Sequence, residues 1–359
     1  MRGEIGGQGY LFTYTSLDDC IPKDHPLRPI KAGADAALRT LSSEFDAMYG
    51  TTGRPSIPPE RLLKATLLIA LHSIRSDRLF CEMLCYNNLY RWFLDMHPEE
   101  AAFDHSTFSK NRGRLIEHDI AKSFFAAVID QARQQKLLSD EHFTIDGTLI
   151  DAWASFKSFK RKDGKPPRKG GDGTGMVDFK GEARGNATHQ SSTDPQARLM
   201  RKGNGQPAKL CFGAHALMEN RNGLLVDLQI TEATLAEAKA AQPLLDRRRK
   251  GRRYLRTVGA DKGYHNRGFV EWLREREIAP HLARIENRRT PGLDARTTRQ
   301  PGYAISQRKR KRIEEIFGWI KTIGGLRKTR FIGIAKTQLA AYLVGAAYNL
   351  MRMARMSTA

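Results

Sequence analysis

The sequence predicts a mixed α/β fold that is preceded by an all-α N-terminal region. Between residues 55 and 125, apolar residues recur at the three- and four-residue spacing of helices. From residue 142 onward, short apolar runs typical of strands alternate with helical segments. Hydrophobic residues make up 40% and charged residues 28% of the 359 residues, a balance that excludes global disorder. A chain of this length predicts two domains, which we place at residues 1–135 and 136–355.

The N-terminal region is predicted to contain several short helices. Pro58 and Pro59 suit a first helical turn, where a missing N–H group costs nothing. Ser76 is the expected cap of a second helix, and Asp104 or Ser106 is the expected cap of a third. The exposed side of the third helix is expected to carry three cations, Lys110, Arg112 and Arg114. Short helices that brace a basic one suit a DNA-binding region, and a helical packing domain without groove contacts is the alternative.

The overall charge indicates a polyanionic partner. Lys and Arg number 60 against 39 Asp and Glu, which gives a net charge of +21. Nucleic acid is the commonest polyanion that attracts so basic a chain. The charge alone also fits a ribosome-associated protein or a basic soluble one.

Several other classes of protein are disfavoured. The first seven residues lack the apolar segment of a secretory signal. The longest apolar stretch, near residues 339–351, is shorter than the ~20 residues that span a bilayer. Cys81 and Cys85 have no second pair at zinc-finger spacing, so we interpret them as core thiols. We therefore expect a cytoplasmic protein with reduced cysteines that contacts no membrane.

Residues 142–150 are predicted to form a strand that carries Asp146. The next segment, residues 155–209, contains 13 Lys and Arg against 5 Asp and Glu, with little aliphatic periodicity. We interpret it as a basic loop inserted at about residues 155–208. Such a loop beside a carboxylate suits contact with phosphate groups, and a solvated insertion is the alternative.

Regular structure is predicted to return after this loop. The order is strand, strand, helix, strand, helix, strand and helix, at residues 209–218, 224–230, 231–245, 256–260, 266–276, 278–283 and 307–323. Asn222 and Gly223 predict a hairpin turn between the first two of these strands. Asp261 stands at the C-terminal end of the next strand.

The last predicted helix has a polar face beside an apolar one. The polar face contains residues spaced four, three and four apart, Arg310, Glu314, Phe317 and Lys321. The apolar face contains four isoleucines that can pack under a sheet, Ile313, Ile316, Ile320 and Ile323. Arg310 and Lys321 can keep the Glu314 carboxylate ionised and reach for phosphates, whereas the simpler interpretation is a salt-bridged surface helix.

Three carboxylates from distant positions thus become candidates for one site. Asp146 and Asp261 lie on or beside separate strands, and Glu314 or Glu315 lies on the late helix. Carboxylates are hard oxygen ligands that suit Mg²⁺ or Mn²⁺. Two such ions ~3.5–4 Å apart support phosphodiester chemistry. An Asp at a strand end is usually a cap or turn residue, so none of the three is sufficient evidence alone.

These residues together resemble the DDE transposases of bacterial insertion sequences, and most closely the IS-five family of the IS-four-like superfamily. The likeness covers residues 10–350 and includes three motifs, FTIDGTLIDAWAS at 143–155, VGADKGY at 258–264 and RKRIEEIFGWIKTIGGLRKTR from 310. Gln307 stands where the superfamily signature Tyr-x2-Arg-x3-Glu-x6-Lys has its Tyr. The Arg, Glu and Lys of this signature are present in the chain as Arg310, Glu314 and Lys321. His265 replaces a more usual acidic residue, a change that we interpret as tolerated.

The resemblance implies an RNase H-like catalytic core, a mixed five-stranded sheet with flanking helices. Its first strand would carry Asp146, its fourth Asp261 and a following helix Glu314. These three residues would be catalytic and would hold Mg²⁺, for which Mn²⁺ would substitute. In this core the residues expected to contact DNA are Arg310, Lys321 and Lys262.

The resemblance also implies the partners and the reaction. The partners would be double-stranded DNA, as terminal inverted repeats and target, and a second copy in a homodimer on paired ends. The reaction would be metal-dependent strand cleavage and strand transfer of the cut-and-paste type. The helical N-terminal region would recognise the inverted repeats through Lys110, Arg112 and Arg114. Asp151 and Glu315, the nearest other carboxylates, are expected to lie outside the site.

Three alternatives remain open. A related nuclease would cut DNA without joining it. A catalytically inactive descendant of a transposase would bind DNA and leave it uncut. A basic RNA-binding protein would explain the charge but not the three carboxylates.

Overall fold

The computed structural model describes residues 16–49, 56–164, 184–203, 205–249, 255–285 and 290–357. Its N-terminal part contains eight described helices, α1 (Leu17–Cys20), α2 (Leu27–Arg39), α3 (Ser42–Met48), α4 (Pro59–Leu71), α5 (Asp77–Tyr86), α6 (Asn88–Phe93), α7 (His105–Glu117) and α8 (Ile120–Gln134). The predicted caps are confirmed, because Ser76 accepts from the Leu79 amide and Asp104 accepts from the amides at the start of α7.

The second part contains strands and helices in alternation. Its elements are β1 (His142–Asp151), β2 (Phe159–Arg161), β3 (His189–Ser191), β4 (Arg198–Met200), β5 (Lys209–Glu219), β6 (Leu225–Glu232), α9 (Glu237–Arg249), β7 (Thr257–Ala260), α10 (Arg267–Glu275), β8 (Ala279–Leu282), α11 (Ala295–Thr298), α12 (Pro301–Lys309), α13 (Ile313–Thr322) and α14 (Ile334–Ser357). Short 3-10 turns lie at Phe156–Ser158, Lys262–Tyr264 and Arg310–Arg312.

The main sheet confirms the predicted fold class and strand order. β6, β5, β1, β7 and β8 lie side by side in that order. β1 is antiparallel to β5 and parallel to β7, so the sheet is mixed as an RNase H-like core requires. β4 adds a sixth strand that pairs with the first residues of β5.

The basic segment after β1 is more ordered than predicted. β2 and β3 pair as a separate two-stranded ribbon, and β4 joins the main sheet. The expectation of one uninterrupted loop is therefore wrong for the described residues. The glycine-rich stretch at residues 165–183 lies outside them.

Three local predictions also need correction. The helix expected at 231–245 begins later, because Thr231 and Glu232 still pair with β5 as part of β6. The helix expected at 307–323 is divided by the 3-10 turn at Arg310–Arg312. Ile323 and Cys85, which were expected in the core, are exposed.

α14 joins the helical N-terminal part to the sheet. It packs against α4, α8 and β6 within one large apolar core. Two of its side-chain amides also pair with the backbone of β6, since Asn349 bonds both N and O of Leu225, and Gln338 bonds Ile230 N and Leu228 O. A helix thus covers an edge strand whose backbone groups would otherwise lack partners.

A second, smaller core fills the other side of the sheet. It contains apolar residues of α9, α10, β7 and β8. The division into domains at residue 135 falls between α8 and β1 and stays a proposal. None of the described helices is both long and apolar enough to cross a membrane.

Candidate active site

The sheet brings Asp146 and Asp261 to the same level. β1 and β7 pair in parallel from His142 opposite Thr257 to Thr144 opposite Gly259. Continued by two residues, this register places Asp146 beside Asp261. Each carboxylate accepts a hydrogen bond of 2.8 Å from a glycine amide that follows it, Gly147 in one case and Gly263 in the other.

Glu314 completes the set of predicted carboxylates. It lies in the first turn of α13 and is exposed to solvent. Asp146, Asp261 and Glu314 line one cleft of about 740 Å³. The same cleft is lined by four cations, Arg201, Lys202, Lys321 and Arg327. Carboxylates from three separate elements thus face a common space that is bordered by positive charge.

The carboxylates influence one another electrostatically. The pKa of Asp146 is raised to about 6, mainly by burial and also by the negative charges of Asp261 and Glu314. The Gly147 amide and Arg310 oppose this change. The negative charges that disfavour ionisation of Asp146 would also stabilise a cation in the cleft.

Lys321, which lines the cleft, and Arg310, whose charge acts on Asp146, are each held by polar neighbours. Arg310 Nε donates to Gln307 Oε1 at 3.0 Å, and Gln307 Nε2 donates to the His281 carbonyl at 2.5 Å. Gln307, which replaces the signature Tyr, therefore orients the Arg of the same signature. Lys321 Nζ donates to Thr148 Oγ1 at 2.5 Å, and burial lowers the pKa of this lysine.

Glu237 is a fourth carboxylate of the cleft that the sequence analysis did not identify. It lies at the start of α9 and lines the same space. Its pKa is raised to about 7, mainly by burial and also by the charges of Asp261 and Asp146. Its only sequence signal was an acidic residue in the first turn of an alanine-rich helix, a common position for a structural Glu.

Comparison with known proteins decides the family. Residues 140–350, more than half of the chain, match the family described as Transposase DDE domain. The chain belongs to this family. Residues 15–114 also match a second family, described as Transposase domain (DUF772). The resemblance to DDE transposases is confirmed, whereas membership of the IS-five family stays a prediction.

One known relative matches only part of this chain. Over 178 residues the chain is 29% identical to the transposase for insertion sequence element IS1106 of Neisseria meningitidis serogroup B, and the match covers 50% of this chain and 58% of that relative. The chain thus spans under two thirds of the relative's length.

Solved structures resemble this transposase only weakly. The piggyBac transposase synaptic complex with hairpin DNA overlaps at a TM-score of 0.41 and 10% identity, over 93% of this chain and 76% of that one. A pre-cleavage Mos1 transpososome overlaps at 0.20 and 10% identity, over 88% and 85%. At these values the family assignment rests on the sequence match.

Several other residues considered in the sequence analysis do not line the cleft. Lys262 is exposed in the 3-10 turn after Asp261 but does not line the cleft. As predicted, Asp151 and Glu315 lie outside it, since Asp151 pairs with Lys209 at 2.8 Å and Glu315 faces Arg352. His265 is buried, and its Nδ1 accepts from the Ile285 amide at 2.9 Å, so the ring has a structural place away from the cleft.

The basic helix α7 differs from its prediction at one position. Lys110 and Arg114 are exposed and line a separate groove of about 1020 Å³. Arg112 is not on this exposed side, because it pairs with Asp77 at 2.8 Å and lies between the rings of Phe108 and Phe331. Its side chain is only 11% exposed, so the expectation of a fully exposed cationic row is wrong.

The donor set fits a hard divalent cation, although the side chains do not converge fully. Asp146, Asp261, Glu314 and Glu237 offer carboxylate oxygens, the donors that Mg²⁺ and Mn²⁺ prefer. Within the described parts of the chain, no three acidic, His or Cys side chains lie close enough to hold a metal as they stand. Cation binding would therefore require side-chain movement.

Proposed function

We propose that this transposase binds the terminal inverted repeats of an insertion sequence and catalyses cleavage and transfer of DNA strands. The observation that carries the proposal is the convergence of Asp146, Asp261 and Glu314, from three elements, on one cleft bordered by cations. The family match and the name of the IS1106 relative support the same reaction.

The residues of the cleft have separable roles in this proposal. Asp146, Asp261 and Glu314 would hold Mg²⁺ or, in its place, Mn²⁺. The bound cation would supply Lewis-acid activation of water and stabilisation of the leaving oxygen. Lys321 and Arg310 would bind backbone phosphates beside the reacting bond, with Thr148 and Gln307 fixing their positions.

The two steps exchange bonds at phosphorus. Water attacks a phosphodiester at the element end, the bond from phosphorus to the 3′ oxygen breaks, and the strand leaves with a 3′-hydroxyl. That hydroxyl then attacks a target phosphodiester, so one phosphodiester bond forms as another breaks. No protein side chain forms a covalent intermediate in this scheme, which is consistent with a site built from carboxylates and cations.

DNA outside the cleft would be bound by other basic surfaces. Lys110 and Arg114 of α7 would contact the inverted repeat, and Lys262 would contact backbone beside Asp261. Arg112 would brace α7 through Asp77 instead of contacting phosphate. Two ends must be cut together, so we propose a homodimer on paired ends, which light scattering of the protein–DNA complex would detect.

The function is tested by incubating the protein with element-end DNA and a plasmid target in Mg²⁺. The expected products are ends with a free 3′-hydroxyl and, later, ends joined to the plasmid. Cutting without joined product would favour the nuclease. A gel shift without any cutting would contradict catalysis and favour a DNA-binding descendant.

A further inference from the structure

Glu237 and His215 both line the cleft, and both side chains lie close to Gly147. The point where a Cβ on Gly147 would stand lies 3.1 Å from Glu237 Oε1 and 3.1 Å from His215 Nδ1. A Cβ on Gly263 would stand 3.0 Å from Glu237 Oε2 and 3.1 Å from Asp261 Oδ1. The Glu237 carboxylate therefore lies over the two glycines that follow Asp146 and Asp261, in space that a side chain there would fill.

The protonation of His215 follows from its hydrogen bonds. Its Nε2 lies 3.0 Å from Thr231 Oγ1, and the Thr231 hydroxyl donates to the Glu232 carbonyl at 3.0 Å. Because that hydroxyl proton is already used, Nε2 must donate and Nδ1 must carry the lone pair. His215 is 3% exposed and lines the cleft, and its Nδ1 has no hydrogen-bond partner in the described structure.

Glu237 Oε1 and His215 Nδ1 thus approach the same point beside Gly147. Glu237 makes no hydrogen bond or ion pair with a described residue, and the charges that act on it most are those of Asp261 and Asp146. A buried acceptor such as His215 Nδ1 is costly unless a donor or a cation satisfies it. A carboxylate and an imidazole nitrogen beside two further carboxylates are ligands for a divalent cation such as Mn²⁺.

We propose that Glu237 is a fourth carboxylate ligand of the divalent cation in this cleft, with the His215 Nδ1 acceptor beside it. The inference rests on the proposed function, because Asp146 and Asp261 must hold that cation. It adds a ligand from α9, which stands outside the three sequence motifs. Glu237 would also explain why positions 147 and 263 are glycine.

The test is calorimetric titration of Mn²⁺ into the full-length protein without DNA. Wild type is compared with Asp261→Asn, Glu237→Gln and the matched control Glu315→Gln, a carboxylate outside the cleft. Glu237→Gln should weaken Mn²⁺ binding by about tenfold or more, and the control should bind as wild type does. Thermal unfolding supplies a second readout, in which the rise of Tm caused by Mn²⁺ should be smaller for Glu237→Gln.

The outcomes separate this inference from the proposed function. If Asp261→Asn weakens Mn²⁺ binding and Glu237→Gln does not, Glu237 is no ligand and the three-carboxylate site stands. If neither variant changes Mn²⁺ binding, the cation is held elsewhere and both proposals are overturned. Should Glu237→Gln fail to fold, Glu237→Asp applies the same test, because a shortened carboxylate should also weaken binding.

Discussion

His281 is a residue whose environment links pH to stability. It is 3% exposed on β8, its Nδ1 lies 2.7 Å from Ser306 Oγ, and its ring packs edge-on against Tyr303. Its pKa is lowered to about 4, mainly by burial and also by the nearby His142 and Arg274. The ring is therefore neutral in the folded protein at pH values where the unfolded chain would bind a proton.

We expect His281 to lower the stability of the fold as pH falls from 7 to 5. The contribution of His281 is complete above its unfolded pKa of about 6.5 and is lost as pH falls towards its folded pKa, at a cost of up to about 3 kcal/mol. Urea unfolding at the two pH values measures the difference, and His281→Gln should reduce it. An unchanged difference in the variant would show that other groups cause the pH dependence.

At the scale of the element, α7 offers two cations with opposite predicted behaviour. Lys110 is exposed beside the groove, whereas Arg112 is buried against Asp77 and two aromatic rings. Lys110→Gln should lower the slope of log affinity for DNA against log salt by about 0.9 and leave Tm unchanged. Arg112→Gln should destabilise the fold by about 3 kcal/mol, since Asp77 loses its 2.8 Å pair and keeps only the 3.9 Å contact with Arg330.

Binding measured over a range of salt, with thermal unfolding of the same variants, checks this pair. The reverse pattern, in which Arg112→Gln alone lowers the salt dependence, would contradict the assignment. The periodicity of α7 predicted both cations on one side, but it contains no information on the packing of Phe331 and Asp77 over Arg112.

The contact between α14 and β6 predicts a cost at Asn349. This buried side chain bonds both the N and the O of Leu225, so Asn349→Leu leaves two buried backbone groups unpaired. Stability in urea should fall by about 2–4 kcal/mol. The exposed Lys336 on the same helix supplies the control, because Lys336→Leu should change stability by less than about 0.5 kcal/mol. Equal effects of the two changes would show that the amide contributes nothing.

At the scale of the whole molecule, strong local signals determined what could be predicted. Short apolar runs predicted β1 and β5, and Ser76 and Asp104 predicted helix starts, because each signal is contained in a few neighbouring residues. β4 could not be predicted, since three residues in a basic segment become a strand only by pairing with β5. Glu237 was missed for a similar reason, because only the packed sheet places it between Gly147 and Gly263.

The three predicted carboxylates also show the difference between local sequence signals and contacts made only in the packed fold. Their motifs selected Asp146, Asp261 and Glu314 from many acidic residues, and the fold then brought all three to one cleft. Their neighbours Asp151 and Glu315 lie on the same strand and helix but outside that cleft. Asp146 and Glu314 therefore each have a matched control a few residues away.

Cleavage of element-end DNA in Mg²⁺ by two pairs of variants tests the central claim most directly. Asp146→Asn and Glu314→Gln should each lower the cleavage rate by about a thousandfold or more, which corresponds to about 4 kcal/mol of transition-state stabilisation. Asp151→Asn and Glu315→Gln should cleave within a fewfold of wild type, and all four variants should still bind the DNA. Cleavage near the wild-type rate by Asp146→Asn or Glu314→Gln would contradict the assignment of the active site.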